Sequence, residues 1–240
     1  MNHVFLEDKV GFVLMRNKKI LNGKFDLHVH TNYSKDGISS VEEILIKAKS
    51  LGLNGLAITD HDVIDGAIKA FKLADKFGLI VVPGIEVTTK EGEIIVLGVK
   101  SSIKRKQPAV ETVRKARELG GFIVVPHAYD FFRGALGRVA EYLDVDAVEV
   151  LNGGEFLPFS NNFARKLAER RKLPMTAGSD AHSIKTLGCA YTIIQEEVSN
   201  YQDVIQAIKK GNTQLLGKVT RLPRVKEAII RRKQRKRKTN

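Results

Sequence analysis

Short apolar runs alternate with amphipathic stretches along most of the chain, and that rhythm admits few architectures. The runs at 25–29, 55–59, 79–82, 122–125, 147–151 and 175–177 have strand length, and several are apolar throughout, as strands buried on both faces of a parallel sheet are. Between them, residues 41–51, 64–77, 109–119, 136–143, 163–171 and 204–210 read as helices. The first of these opens on a capping-box pattern, Ser40-Val41-Glu42-Glu43, and stops at Gly52. Segments 85–88 and 93–99 look like a strand pair, and 191–194 and 213–216 add further strands. Repetition of strand and helix at these intervals predicts an α/β barrel-like fold with seven or so strands, largely parallel.

With 240 residues, 43% of them hydrophobic, the chain can bury one sizeable core, so a single domain is expected over 1–217. The formal net charge of +13 is concentrated behind it. Residues 218–240 hold 11 of the 40 lysines and arginines but one of the 27 acidic residues, leaving 29 basic and 26 acidic residues in the body. The basicity therefore belongs to a C-terminal tail, expected to be disordered, and such a tail can hold nucleic acid by counterion release. The first fifteen residues have acidic side chains among the apolar ones and do not read as a signal peptide. No apolar run reaches the roughly 20 residues of a membrane span. Cys189 is the single cysteine, so no intramolecular disulfide can form, which suits the cytoplasm.

The chemistry sits where the strands end. Five of the six histidines fall there: His28, His30, His61, His127 and His182. Side chains at the C-terminal ends of parallel strands converge on one face of a barrel, so these imidazoles are expected to meet. His28 and His30 lie two apart on an extended segment and point to the same side. Asp60, Glu86 and Asp180 occupy equivalent strand ends, and Asp36 lies in the loop after the first pair. One histidine at a strand end is more often a hydrogen-bonded or surface residue than a ligand, but five with adjacent carboxylates have no simple packing explanation. Imidazole and carboxylate donors together suit Zn²⁺, Mn²⁺ or Fe²⁺, and their number exceeds what one four-coordinate ion can use. Two divalent ions are the expected count, and a two-metal site suits phosphoester hydrolysis.

The motifs His28-Val29-His30-Thr31, Ser34-Lys35-Asp36-Gly37, Thr59-Asp60-His61-Asp62, Pro83-Gly84-Ile85-Glu86, Pro126-His127 and Gly178-Ser179-Asp180-Ala181-His182 together resemble the PHP (polymerase and histidinol phosphatase) family of metal-dependent phosphoesterases. The resemblance covers residues 24–217 and implies a distorted (β/α)7 barrel, related to the TIM barrel. It implies His28, His30, Glu86 and Asp180 around a first ion, and Asp36, His61 and His182 around a second. Glu86 and His127 would belong to a third site. Many members place a histidine just before Leu97-Gly98, where this chain has Ile95. Two ions are therefore expected without the third, leaving His127 as a weak ligand, a phosphate contact or a general acid.

The residues assigned to catalysis are His127, His182 and Asp60, in a reaction where metal-activated hydroxide attacks phosphorus in line. Arg133, Arg138 and Asn152 are assigned to substrate, the arginines as bidentate phosphate clamps and Asn152 as a hydrogen-bonding group or a turn residue. Tyr129, Phe131 and Phe132 either stack on a base or pack as a lid. The expected substrate is a small phosphomonoester or nucleotide, with a nucleic-acid end as the variant the tail would favour. Two other readings compete. A non-catalytic RNA-binding barrel of the RNase P type has no reason to retain a ligand set. A metal-dependent amidohydrolase also uses a His-x-His pair and a late Asp but typically adds a metal-bridging lysine, and no lysine sits at a fitting strand end.

Overall fold

The computed structural model describes residues 19–157 and 159–220. The amino terminus, with the sixth histidine, His3, and the tail beyond Thr220 lie outside the described residues.

β1 (Gly23–Val29), β2 (Gly55–Ile58) and β3 (Ile80–Thr88) run parallel, with α1 (Val41–Ser50) and α2 (Asp65–Phe77) as their crossovers. β4 (Glu93–Leu97) turns back antiparallel on β3, and β5 (Phe122–Val125), reached through α3 (Ala109–Glu118), restores the original direction. β6 (Ala147–Asn152), α4 (Ser160–Arg171) and β7 (Met175–Gly178) continue it in parallel. β8 (Ala190–Ile194), α5 (Tyr201–Lys209) and β9 (Thr213–Gly217) follow, with β8 antiparallel to β1 and β9 to β8. The sheet order is β7-β6-β5-β4-β3-β2-β1-β8-β9.

The barrel closes at one end. Just beyond β7, the Asp180 amide donates to the His28 carbonyl at 2.8 Å and the His30 amide to the Ala181 carbonyl at 2.8 Å, pairing Val29 with Ala181 in parallel. At the other end β8 is wedged between first and last strands, pairing with β1 through Gly23, Lys24 and Phe25 and with Ala177 through the Thr192 hydroxyl. The result is a nearly closed, distorted α/β barrel of the expected class. Gly178 makes the closure possible, since a Cβ there would lie 2.5 Å from the His28 Cβ.

Two apolar cores follow from strand alternation. Phe25, Leu27, Ala57, Val82, Ile95, Leu97, Phe122, Val124 and Ala147 fill the barrel interior, whereas Val29, Leu56, Ile58, Val81, Ile123 and Val148 face the helices. β1 changes its phase part-way. Phe25 and Leu27 join the interior core while Val29 joins the outer one, because the β1–β2 register shifts between Asp26 and Val29. A bulge moves the following side chains to the opposite face, so His28 and His30 turn into the mouth. β6 repeats the device with a shift between Glu149 and Leu151, after which Asn152 faces the mouth.

Several details differ from the sequence expectation. Strands expected at 79–82 and 85–88 are one continuous β3, since Pro83 and Gly84 do not interrupt its extended course. The helix expected at 136–143 is a 3₁₀ segment, Gly137–Glu141, and a second short one covers Phe131–Arg133. α4 and α5 each begin three residues before the expected start, α5 with Asn200 accepting from the Asp203 amide. The start of the expected tail is still tied to the barrel: the Lys218 amide donates to the Cys189 carbonyl and the Thr220 amide to the Gly153 carbonyl, both at 2.8 Å. Among the described residues no helix is long and apolar enough to cross a membrane.

Asp26 holds the seam beneath the mouth. Its fully buried carboxylate accepts from the Ser179 amide at 2.8 Å and the Gly188 amide at 2.9 Å. Burial pushes its carboxyl up to about 6 despite these donors. Its stabilising contribution is thus full below the ordinary carboxylate range and declines as pH rises through about 6. In Asp26→Asn an amide N–H faces backbone donors, and we expect a loss of about 1–3 kcal/mol in denaturant unfolding. The deficit should be largest near pH 4 and shrink by about pH 7, because the variant lacks the titration. A deficit independent of pH would assign the effect to packing.

Candidate metal centre

The mouth gathers the side chains that the motifs mark. His28 and His30 enter on the bulged end of β1, His61 just past β2, Glu86 from β3, His127 past β5, and Asp180 and His182 past β7. Asp36 comes down from the loop between β1 and α1. His127 and Asp180 have positive φ, 32° and 52°, strained for residues other than glycine, at the turns that aim them inward.

Glu86 is the hub. One carboxylate oxygen lies 3.2 Å from both His28 Nε2 and His30 Nε2 and 3.4 Å from His61 Nδ1, while the other is 3.0 Å from His127 Nε2. Asp180 Oδ1 lies 3.4 Å from His30 Nε2 and 3.8 Å from His28 Nε2. On the other side of His30, Asp36 Oδ2 is 3.3 Å from His182 Nε2 and 3.5 Å from His61 Nε2. The His30 ring stacks between those of His61 and His182, with centroids 4.6 and 4.2 Å away. The donors thus form overlapping groups that could each hold an ion: His28, His30 and Asp180; His30, Asp36, His61 and His182; His28, Glu86 and His127; and His61, Glu86 and Glu93. All but Asp36, His61 and Glu93 are almost completely buried.

The electrostatics show what this set needs. Burial opposes charge on His28, yet Asp180, Glu149 and Glu86 outweigh it and hold the imidazole well above its ordinary value. His30 is likewise raised, to about 9, where burial is overcome by Asp180 and Glu86. Burial lowers His61, and burial together with the His30 charge lowers His182 to about 3. Glu86 and Asp36 are driven below the carboxylate range by the histidines around them, although burial acts the other way. The carboxylates therefore call for positive charge, but His28 Nε2 and His30 Nε2 face each other at 3.1 Å, where two protons cannot both fit. Divalent ions resolve that conflict, and the donor chemistry fits them; ligation has to displace any inward proton on these imidazoles.

A second layer orients the donors. Glu149 takes His28 Nδ1 at 3.0 Å, leaving Nε2 for the centre, and its other oxygen accepts from the His127 amide at 3.2 Å and from Asn152 Nδ2 at 2.8 Å. His182 Nδ1 lies 3.0 Å from the Asp180 carbonyl, which likewise leaves Nε2 inward. Asn152 Nδ2 also reaches Asp180 Oδ2 at 3.1 Å, so the structure gives this residue, expected at the substrate, a place behind a ligand. Arg133 Nη2 lies 2.5 Å from Asp180 Oδ2, and its Nη1 donates to the Gly154 carbonyl at 2.7 Å.

Two assignments change. Asp60 was expected to act in catalysis, but its oxygens accept from the Thr31 amide at 2.6 Å and the Thr31 hydroxyl at 2.7 Å, and it belongs to none of the donor groups. It positions the residue after His30. Arg138 was expected to clamp phosphate; its side chain is exposed on the Gly137–Glu141 segment, whose buried residues are Gly137 and Ala140, and it makes no ion pair with the clustered carboxylates. Sequence reasoning missed Glu149 and Glu93. Glu149 had a signal, an acid three residues before Asn152 in an otherwise apolar strand.

Relatives place this geometry. A PHP-associated family model matches residues 158–213. An uncharacterized protein of Methanocaldococcus jannaschii, MJ1587, is 39% identical over 151 residues, covering 59% of this chain and 88% of that one. Among solved structures, a two-domain protein from Bacteroides vulgatus containing a predicted PHP-like metal-dependent phosphoesterase superposes with a TM-score of 0.68 at 18% identity, over 85% of this chain and 69% of that one. The chain belongs to the PHP family. A 5'-3' exoribonuclease of Haemophilus influenzae is 32% identical over 120 residues, 45% of this chain and 43% of that one.

If Glu149 fixes the His28 ring, Glu149→Ala should weaken divalent-metal affinity about 10–100-fold in chelator competition while the fold is kept. Unchanged competition curves would show that packing alone sets the ring.

Proposed function

We propose that this PHP protein is a metal-dependent phosphoesterase that hydrolyses a small phosphomonoester or nucleotide. The observation that carries the reading is the convergence of five imidazoles with Asp36, Glu86 and Asp180 in one barrel mouth, with the Arg133 guanidinium against Asp180. Two divalent ions, Zn²⁺, Mn²⁺ or Fe²⁺, would supply charge for a phosphoryl oxygen and acidify the attacking water. Arg133 lies where it can exchange its bond to the Gly154 carbonyl for a phosphate oxygen while keeping Asp180 in place. His127 and His182 present Nε2 to carboxylates and act as ligands in this reading. The leaving oxygen is then protonated by solvent on the side of Asp36 and His61, the more open flank.

The rim favours a base-bearing ester. Phe131 and Phe132, next to Arg133, are 67% and 74% exposed, and Phe156 packs edge-on against Phe132 at 5.4 Å. Exposed rings beside a phosphate-binding arginine suit a stacked nucleobase. Tyr129 is already engaged, packing against Phe163 and donating to Glu141. The amidohydrolase reading needs a lysine bridge at the centre of the cluster, and Glu86 occupies that place. A nucleic-acid end is the larger form of the same substrate, supported by the basic segment 218–240 and by the similarity to an exoribonuclease. The single cysteine suits a cytoplasmic setting.

Metal analysis coupled to a screen of nucleotides, sugar phosphates and oligonucleotides tests the proposal. His28→Ala and Asp180→Ala should each abolish hydrolysis of a generic phosphoester with the fold retained by circular dichroism; full turnover in both would eliminate the metal mechanism. Deleting residues 221–240 should leave small-substrate hydrolysis intact and reduce nucleic-acid retention at low salt, and equal retention would make the tail a bystander.

A further inference from the structure

We propose that the basic loop Lys104-Arg105-Lys106 is a second anion subsite of the mouth, one that holds backbone phosphates on the leaving side of the substrate, so that the preferred ester lies near the end of a single-stranded oligonucleotide. The proposal rests on the phosphoesterase reading above and narrows its substrate.

From Ile94 to Val110 the chain carries Lys100, Lys104, Arg105 and Lys106 and no acidic residue. Lys100 is engaged elsewhere, its ammonium 4.0 Å from the centroid of the Phe71 ring. Lys104, Arg105 and Lys106 are exposed, and among the described residues neither lysine has a carboxylate partner. α3, which follows at once, by contrast pairs each of its cations, Arg114, Lys115 and Arg117, with an acid.

Backbone bonds pin this loop to the rim. β3 runs two residues beyond Glu86 to Thr88 before the chain turns into β4. There the Lys106 amide donates to the Thr88 carbonyl at 2.6 Å, and the Lys90 amide donates to the Gln107 carbonyl at 3.0 Å. Lys106 has a φ of 58°, strained for a residue with a side chain. Glu91, in the same turn, directs its carboxylate to the Ala109 amide at 2.7 Å. Arg105 reaches toward the donors, with Nη1 3.6 Å from Asp62 Oδ2. Asp62 follows His61 and is itself fixed, its amide donating to the Glu86 carbonyl at 2.9 Å and its Oδ1 accepting from the Thr88 amide at 2.8 Å. The guanidinium is thus aligned beside a donor by a long, half-exposed ion pair, weak enough for a phosphate to replace.

Position gives the subsite its ligand. In a ring closed between β1 and β7, β2 and β5 are as far apart as two strands can be, so Arg105 at Asp62 and Arg133 past β5 stand on opposite sides of the donors. The more open flank, at Asp36 and His61, is on the Arg105 side. That flank receives the leaving oxygen in the reading above. Water would form the new bond to phosphorus and give a proton to solvent, the bond from phosphorus to the leaving sugar oxygen would break, and that oxygen would take a proton from solvent. The departing group then lies toward the cations, and the base kept with the phosphate lies toward Phe131 and Phe132. Adjacent unpaired cations fit a run of phosphodiesters, since each phosphate they pair releases counterions. Exposed rings across the mouth suit a single strand, whose bases are free to stack on them.

The test compares two esters on the full-length chain incubated with MnCl₂: a short single-stranded oligonucleotide and p-nitrophenyl phosphate. In Lys104→Gln/Arg105→Gln/Lys106→Gln the ratio of kcat/KM for the strand to that for the small ester should fall about tenfold at low salt, through KM, and log KM against log salt should flatten by about 0.7 for each cation removed. Replacing the leaving-side phosphodiesters by uncharged methylphosphonates should raise the wild-type KM to a similar degree and add little in the triple variant. Lys104→Gln/Lys106→Gln, which keeps the Arg105 pair with Asp62, should show part of the loss and serves if the triple variant does not fold. An unchanged ratio and salt slope, or losses that add in full, would overturn the subsite. Failure of the phosphoesterase reading looks different: a wild type that hydrolyses neither ester, yet loses affinity for the strand in fluorescence anisotropy when these cations are removed, would overturn that reading and support the subsite.

Discussion

The structure depends on the seam where the first and last barrel strands meet. Two backbone hydrogen bonds, Asp180 amide to His28 carbonyl and His30 amide to Ala181 carbonyl, close it. They interleave His28, His30, Asp180 and His182 from the two ends of the barrel sequence. Had β1 kept its phase, Val29 would face the mouth and both histidines the helices; the bulge after Asp26 reverses that. Gly178 permits the approach, and Asp26 ties the turn to Gly188 beneath it. Closure and site assembly are therefore one event. A disturbance of the seam displaces His28, His30, Asp180 and His182 together.

The same economy governs charge. Buried carboxylates without cations are costly, and Glu86, Glu149 and Asp180 are all buried within reach of His28. Those carboxylates outweigh burial and hold the His28 and His30 imidazoles above their ordinary range. Glu93 shows the cost directly: burial and the charges of Glu86 and Asp180 push its carboxyl up to about 9. A cluster in this condition is built around positive charge that protons supply poorly, because rings 3.1 Å apart cannot both carry an inward proton.

Most of this was legible in the sequence because parallel strands obey a simple rule, that functional side chains follow the last apolar residue. His30, His61, His127, Asp180 and His182 conform, while His28 precedes the last residue of its strand, Val29. Glu93 does not conform, since β4 runs the other way and presents its beginning to the mouth. A strand pair was legible at these residues, but the consequence of its antiparallel turn lies in three dimensions. Asp60 followed the rule and misled, as its adjacency to His61 says nothing about which neighbour claims the carboxylate; Thr31 does. Bulges left no local mark either. Their effect is visible only as a change in which core each apolar residue joins.

The loop after β5 connects these matters to substrate. Asp130 accepts from the Phe156 and Leu157 amides at 2.5 and 3.4 Å, stapling this loop to the one after β6. The staple fixes Arg133 between Gly154 and Asp180 and brings Phe132 against Phe156. Gly134, one residue on, rests on Glu93. A single short segment therefore touches a ligand of the inner cluster, the carboxylate at its edge and the exposed rings outside. In the proposed reading, a phosphate that drew Arg133 from Gly154 would also pull on the loop carrying those rings, joining recognition of the phosphate to that of the group it bears. On that reading, selectivity is set by this loop, which lies outside the cluster of donors, rather than by the donors themselves.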